Sequence, residues 1–254
     1  MEERLKKRLT EYFDEMLTMT PKFKKKEYDA IFSAMLDEYG EDIKEISSLF
    51  EGLSSAQEDL LLNEIAEVIP TYAKEKMEKL SKRGQNKEAI EYNLAMAVYV
   101  VPGLSYTKNE KLVKIAEKTV EKWNAMGVTS LELGLSTYED ITGGFRKKLC
   151  FITTAVCDHL NKPDNCYELE TLRDYRDHYL LTSAEGKELV EEYYNIAPSL
   201  VFILNMKKDQ SIYEGLYTNY ITPCLKSIED HKLEDCKNIY KKMVNHMKYE
   251  YFPS

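Results

Sequence analysis

Apolar residues recur at every third or fourth position along most of the chain, a spacing that predicts a succession of amphipathic α-helices. In the first of them Leu5, Leu9 and Met16 fall on one face, and the pattern stops near Pro21 because proline cannot continue a helix. The same spacing predicts helices over residues 28–39, 43–53, 60–80, 87–101, 108–126 and 146–160. Apart from residues 129–133, no segment has the alternation of apolar and polar residues that a strand needs. The predicted fold class is therefore all-α, a multi-helix bundle.

Prolines and glycines set the predicted helix ends. Pro70 is expected to kink or split the helix in which it lies, Pro102 to end its helix, and Pro198 to separate two helices. Gly127 is expected to end the helix that carries Trp123, the only tryptophan of the chain. We interpret Trp123 as an anchor of the hydrophobic core.

The helical periodicity weakens between residues 127 and 144, which predicts two helical halves on either side of this stretch. This stretch contains four glycines and only weakly periodic pieces, which is typical of a connection. We expect the boundary near residue 140, with a helical N-terminal half over 1–140 and a helical C-terminal half over 141–254.

Composition and charge narrow the class of protein. Of the 254 residues, 43% are apolar and 31% are charged, which fits a globular core and excludes a disordered chain. The formal charge of −9 argues against nucleic-acid binding, which would need a local basic patch. No apolar run reaches the roughly 20 residues of a membrane-spanning helix, and the charged start of the chain has no secretory signal. The expected location is the cytoplasm, where five cysteines, an odd number, would remain reduced.

Two cysteines share one face of the helix predicted over 146–160. Cys150 and Cys157 are seven residues apart, which brings them within about 20° of each other around a helix. Thr153 and Thr154 fall on the same stripe. An extended chain would send the two thiols to opposite faces, so this stripe depends on the helical prediction.

A third cysteine is expected to meet this stripe across a helical hairpin. Residues 161–165 break the chain, and Asn165 followed by Glu168 resembles a capping box that would start the next helix at Cys166. The helix N-terminus favours a thiolate at Cys166. An antiparallel hairpin would bring Cys166 beside Cys157 and His159.

Four soft side chains near one turn allow several kinds of chemistry. The candidate ligands of a soft transition metal or an iron–sulfur cluster are Cys150, Cys157, Cys166 and His159. The same thiols are candidates for a redox pair, or for a nucleophile at Cys150. The cysteine spacing matches no usual zinc-finger or ferredoxin pattern, and small buried cysteines also serve as packing residues. These alternatives stay open at the level of sequence.

The helix after the hairpin carries an arginine on its apolar face. Arg176 aligns with Leu172 and Tyr179, so its guanidinium is expected either to be buried against a carboxylate or carbonyl of the neighbouring hairpin or to bind an anionic ligand. An ion pair of Arg173 with Asp177 in the same helix is an alternative structural role for the arginines.

Three ordered pieces of sequence resemble the CFI-box domain family of bacterial proteins. They are the run Cys150-Phe151-Ile152-Thr153-Thr154-Ala155, the run Leu172-Arg173-Asp174-Tyr175-Arg176-Asp177, and Gly186, Tyr193-Tyr194 and Pro198. The resemblance covers 150–198 and singles out Cys150, Thr154, Arg173, Arg176, Asp177 and Tyr194, but it implies no established activity. In this chain Thr153 replaces an alanine of the family pattern, and Cys157 lies where the pattern has a tyrosine-glycine segment.

Two hypotheses from different classes follow. In the first, the chain is a cytoplasmic helical protein with a cysteine-centred metal-binding or thiol-redox site, in which Cys150 is the catalytic thiol and Thr154, Arg173 and Arg176 contact a ligand. In the second, the chain is a non-enzymatic interaction module that presents its N-terminal helices to a protein partner and uses its cysteines for packing.

Overall fold

The computed structural model describes residues 3–146 and 151–251, and these contain helices but no strand. The all-α prediction is therefore confirmed, and residues 129–133 are not extended into a strand. The chain forms two compact units. One comprises the residues up to Phe23 together with Glu27–Gly144, and the other comprises Lys24–Lys26 and the residues from Phe145 onward.

The first unit is a bundle built around long amphipathic helices. The helices that lie wholly or mainly in it are α1 (Glu3–Met19), α2 (Lys25–Ser48), α3 (Ser55–Glu78), α4 (Lys82–Ala95), α5 (Val101–Ser105), α6 (Glu110–Met126) and α7 (Tyr138–Arg146). Helix α3 packs most extensively on α6, and α1 packs on both α3 and α4. Trp123 is fully buried and donates from Nε1 to Asn93 Oδ1 at 3.0 Å, which confirms its predicted role in the core.

Two predicted helix breaks are wrong for a common physical reason. Helix α2 continues through Gly40, although the pattern predicts separate helices over 28–39 and 43–53. Helix α3 is continuous through Pro70, which lies buried inside it, so the expected split is wrong, and a kink at Pro70 stays a prediction. The cost of an interior glycine or proline, about 1 and 3 kcal/mol, is outweighed where the helix buries an apolar face on both sides of it.

Pro102 does not end its helix, because the helix adapts to it. A π-helical turn, Met96–Val100, leads directly into α5, whose second residue is Pro102. Proline has no N–H, so the Val98 carbonyl four residues earlier lacks its helical donor. The Tyr28 hydroxyl donates to this carbonyl at 2.8 Å. A contact from a distant part of the sequence thus supplies the missing hydrogen bond.

The second unit contains a helical hairpin surrounded by longer helices. Its helices are α8 (Phe151–His159), α9 (Tyr167–His178), α10 (Ala184–Lys207), α11 (Gln210–Leu216), α12 (Thr222–Glu229) and α13 (Leu233–Tyr251). Helices α8 and α9 contact each other, α10 and α11 pack on α8, and α12 packs on α9 and α13. Pro198 lies inside α10 rather than between two helices, so this predicted break is also wrong. None of the described helices combines the length and apolarity needed to cross a bilayer.

A second π-helical turn, Tyr217–Ile221, joins α11 to α12 and again precedes a proline, Pro223. Such turns interrupt regular hydrogen bonding and re-aim the side chains they carry. In this unit the turn carries Tyr217.

Candidate metal and thiol site

The turn between α8 and α9 explains how two cysteines meet. Asn161 adopts a left-handed conformation with φ of 55°, its N–H bonds to the Asp158 carbonyl at 3.0 Å, and the Lys162 N–H bonds to the Cys157 carbonyl at 2.8 Å. This pair of bonds ends a helix in a Schellman motif and reverses the chain direction. Cys157 therefore lies in the last turn of α8.

Cys166 caps the helix that returns. The structure makes Cys166 the residue before the first turn of α9, which begins at Tyr167. The predicted capping box, with Asn165 as the cap and Cys166 inside the helix, is therefore wrong by one residue. The Cys166 N–H instead bonds to the Pro163 carbonyl at 2.9 Å, which closes the turn.

The two sulfurs lie side by side. Cys157 Sγ and Cys166 Sγ are 3.6 Å apart, which confirms the predicted meeting of these two residues. Both are free thiols; Cys157 is fully buried and packs on Leu169, whereas Cys166 is half-buried. A carboxylate oxygen of Glu168 completes a group in which the donor atoms all lie within 4.8 Å of one another. Two thiols and one carboxylate thus converge on a single point.

Glu168 is held as a carboxylate although it is only 6% exposed. Burial acts to raise the pKa of Glu168, but hydrogen bonds from Lys162, its own backbone N–H, Tyr217 and Cys166 outweigh burial and lower the pKa to about 2. The Tyr217 hydroxyl donates to Glu168 Oε1 at 2.8 Å, and the Lys162 ammonium donates to the same oxygen. The negative charge of the site is therefore fixed and is compensated by one cation.

Cys157 is held as a neutral thiol in the same group. Burial is the main cause that raises the pKa of Cys157 to about 12, and the neighbouring Cys166 and Glu168 raise it further. A buried thiol beside a carboxylate gains no stabilisation for its own negative charge. A cation placed between these donors would favour a thiolate at Cys157.

Lys162 and Tyr217 form the polar wall of the site. Lys162 Nζ lies 3.2 Å from the Tyr217 hydroxyl and 5.1 Å from the centre of its ring. Lys162 comes from the turn after α8, and Tyr217 comes from the first position of the second π-helical turn. Sequence reasoning missed both residues, and it assigned Glu168 only a capping role.

The other predicted site residues do not join the group of three donors. The His159 ring stacks on Tyr213, with 4.3 Å between the ring centres. Arg173 contacts the carbonyl and the carboxylate of Asp164, each at 3.0 Å, and not the expected Asp177. Thr154 Oγ1 is buried without a hydrogen-bond partner in the part of the chain that the structure describes. Cys150 lies outside the described residues.

Arg176 is bound by side chains of its own unit. Its guanidinium makes two hydrogen bonds of 2.7 Å to the Asp177 carboxylate and a third, of 2.8 Å, to the Tyr194 hydroxyl. The carboxylate comes from the next residue of the same helix and not from the neighbouring hairpin, so the expected contact with the hairpin is not the one observed. The sequence that resembles the CFI-box family thus places three of its singled-out residues in one hydrogen-bonded group.

Comparison with protein families, with curated proteins and with solved structures finds no match for this chain. The resemblance to the CFI-box family therefore stays a prediction, as does a protein partner for the N-terminal helices.

Proposed function

We propose that the second unit binds one thiophilic divalent metal ion of the zinc type through Cys157, Cys166 and Glu168. The 3.6 Å separation of the two sulfurs is the observation that carries the proposal. Two thiolates bound to one tetrahedral zinc at about 2.3 Å lie about 3.8 Å apart, whereas a disulfide requires about 2.05 Å. The thiols therefore have nearly the spacing that a shared ion would impose.

Charge balance supports the same proposal. A divalent ion bound by two thiolates and one carboxylate leaves one net negative charge, and the Lys162 ammonium that already contacts Glu168 would neutralise it. Neutral clusters are far less costly to bury than charged ones. The donor set also favours a single ion, because iron–sulfur clusters use four protein ligands.

The fourth ligand decides what such a site does. With three protein donors and a water molecule, a zinc ion acts as a Lewis acid, whereas four protein donors make a closed structural site. Cys150 is the sequence-predicted candidate for the fourth donor. Replacing it therefore separates a structural site from one with an exchangeable position.

Metal titration of the reduced full-length protein tests the proposal. We expect one cobalt or zinc ion per chain, with thiolate-to-cobalt charge-transfer absorption, and a loss of affinity of at least about 100-fold in Cys157→Ser and in Cys166→Ser. Glu168→Gln should lose about 10- to 100-fold. Cys236→Ser is the matched control, because it removes a buried thiol outside the group, and it should bind like the parent protein.

Two results would contradict the proposal. One is the absence of stoichiometric binding by the reduced protein at micromolar metal, and the other is an equal loss of affinity in Cys236→Ser. Either result would favour the second hypothesis, in which Cys157 packs against Leu169 and the cysteines serve only the fold.

A further inference from the structure

The two cysteines of the site differ in the exposure of the whole residue. Cys157 is completely buried, whereas Cys166 is half-buried at the cap of α9. Their sulfurs nevertheless lie 3.6 Å apart. A reagent from solvent therefore contacts part of Cys166, whereas Cys157 has no exposed surface and its sulfur lies beside that of Cys166.

We infer that this pair performs thiol–disulfide exchange with small disulfides, with Cys166 as the attacking thiol and Cys157 as the resolving thiol. The inference depends on the separation of the sulfurs and on the unequal exposure of the two residues. Only the statements about a bound metal rest on the proposed function, because the exchange itself requires no metal.

The reaction balances in two displacements. The Cys166 sulfur attacks one sulfur of the disulfide RSSR; the RS–SR bond breaks, and the first RS⁻ leaves and takes up the proton lost from Cys166. The Cys157 sulfur then attacks Cys166 Sγ in the mixed disulfide, and the second RS⁻ leaves with the proton lost from Cys157. The protein pair is oxidised by two electrons to a disulfide, and RSSR is reduced to two RSH.

Forming the disulfide requires only a small approach of the two sulfurs, and Cys166 is the residue that can make it. Closing the sulfurs from 3.6 Å to a bonded distance of about 2.05 Å needs an approach of about 1.5 Å. Cys166 lies at the junction of a turn and a helix and contributes no side-chain cap bond to α9. Rotation of its side chain therefore breaks no bond that caps the helix.

Oxidation and metal binding exclude each other at this site. A disulfide removes two of the three donors and leaves Glu168 with Lys162, the pair that the site already contains. A bound ion would in turn occupy both sulfurs and protect them from exchange. Exchange would therefore release the metal with a stoichiometry of one ion per disulfide formed.

Mass spectrometry of the reduced, metal-free, full-length protein treated with oxidised glutathione tests the inference. We expect the parent protein to form the Cys157–Cys166 disulfide through a transient mixed disulfide. Cys157→Ser should stop at a mixed disulfide on Cys166 that accumulates. Cys166→Ser should leave Cys157 modified at least about 100-fold more slowly than Cys166 in the parent protein. Cys236→Ser should react like the parent protein.

Folding of each variant is checked by circular dichroism, and Cys157→Ala replaces Cys157→Ser if the serine variant unfolds. Peptide mapping that finds glutathione on Cys157 before Cys166, or a disulfide that pairs either residue with a different cysteine, would overturn the inference. Because the experiment contains no metal, its failure leaves the metal titration intact. Stoichiometric zinc binding without any Cys157–Cys166 disulfide would reject only the exchange.

Discussion

The second unit contains two pairs of neighbouring cysteines with very different surroundings. Cys157 and Cys166 lie beside a carboxylate that is hydrogen-bonded to Lys162 and Tyr217. Cys224 and Cys236, on α12 and α13, are both buried, and the Cys224 thiol lies 3.7 Å from the Cys236 carbonyl. The contact with Cys236 and burial together raise the pKa of Cys224.

The comparison shows that nearness of two thiols does not make a site. Among the described residues, no aspartate, glutamate or histidine joins Cys224 and Cys236 in a group of metal-ligand geometry. A cation placed between these two buried thiols would find no carboxylate in metal-ligand geometry among the described residues. The first pair has the carboxylate, the compensating cation and one residue, Cys166, that is only partly buried. We therefore propose chemistry for the first pair and packing for the second.

Thiol reactivity is the largest expected difference between the pairs. In native protein, we expect an aromatic disulfide reagent to label Cys166 at least about 1,000-fold faster than Cys224 or Cys236. A buried thiol reacts only after opening, and an opening free energy of about 4 kcal/mol corresponds to that factor. Labelling in the Cys150→Ser background, followed by peptide mapping, assigns each site.

The same labelling in urea provides the control, because all four described thiols should react at similar rates once the fold is lost. Native labelling of Cys236 at the rate of Cys166 would remove the distinction between the pairs.

The fixed charge of Glu168 predicts a pH-dependent contribution to stability. The pKa of Glu168 is lowered from 4.5 to about 2 in the folded chain, so the unfolded state binds more protons in this range. Its stabilisation is therefore complete above about pH 4.5 and is lost as the pH falls towards 2. The shift corresponds to about 3 kcal/mol at most.

Urea unfolding of the parent protein and of Glu168→Gln between pH 7 and pH 2.5 measures this contribution. The difference in unfolding free energy should be largest at neutral pH and should shrink below pH 4.5. The control is Glu170→Gln on the exposed side of the same helix, which should change stability by less than about 0.5 kcal/mol. A difference between parent and Glu168→Gln that stays constant with pH would show that the carboxylate is not held by charge.

Local sequence patterns predicted the parts of the fold that depend on local interactions. Helix α6 begins at the Asn109 cap and ends at Gly127, which has a positive φ of 58°, as the spacing and the glycine indicate. The breaks expected at Pro102 and Pro198 are wrong because tertiary contacts decide them. The Val98 carbonyl, for example, is satisfied by Tyr28, 70 residues away in sequence.

The residues of the candidate site also separate into those that local sequence predicts and those that distant contacts decide. Cys157 and Cys166 are nine residues apart across a short turn, so an antiparallel hairpin was enough to predict their meeting. Tyr217 comes from 49 residues beyond Glu168 and carries no local signal of its role. Lys162 and Glu168 lie six residues apart on either side of the turn, so their opposite charges are a local signal of the ion pair.

The smallest expected effect is on the free energy of unfolding. Here the second pair of cysteines should matter more than the first, the reverse of the order expected for thiol reactivity. Cys236 is fully buried, so Cys236→Ala should lower the free energy of unfolding by about 1–2 kcal/mol through lost packing. Cys166 is half-buried, and Cys166→Ala should cost less than about 0.5 kcal/mol. Urea unfolding of the reduced, metal-free proteins measures both values.

Substitution of a packing residue should lower the free energy of unfolding and leave metal binding normal. Substitution of a site residue should weaken metal binding and leave the free energy of unfolding nearly unchanged. If Cys166→Ala were the more destabilising variant, Cys166 would belong with the packing cysteines, and the comparison that separates the pairs would fail.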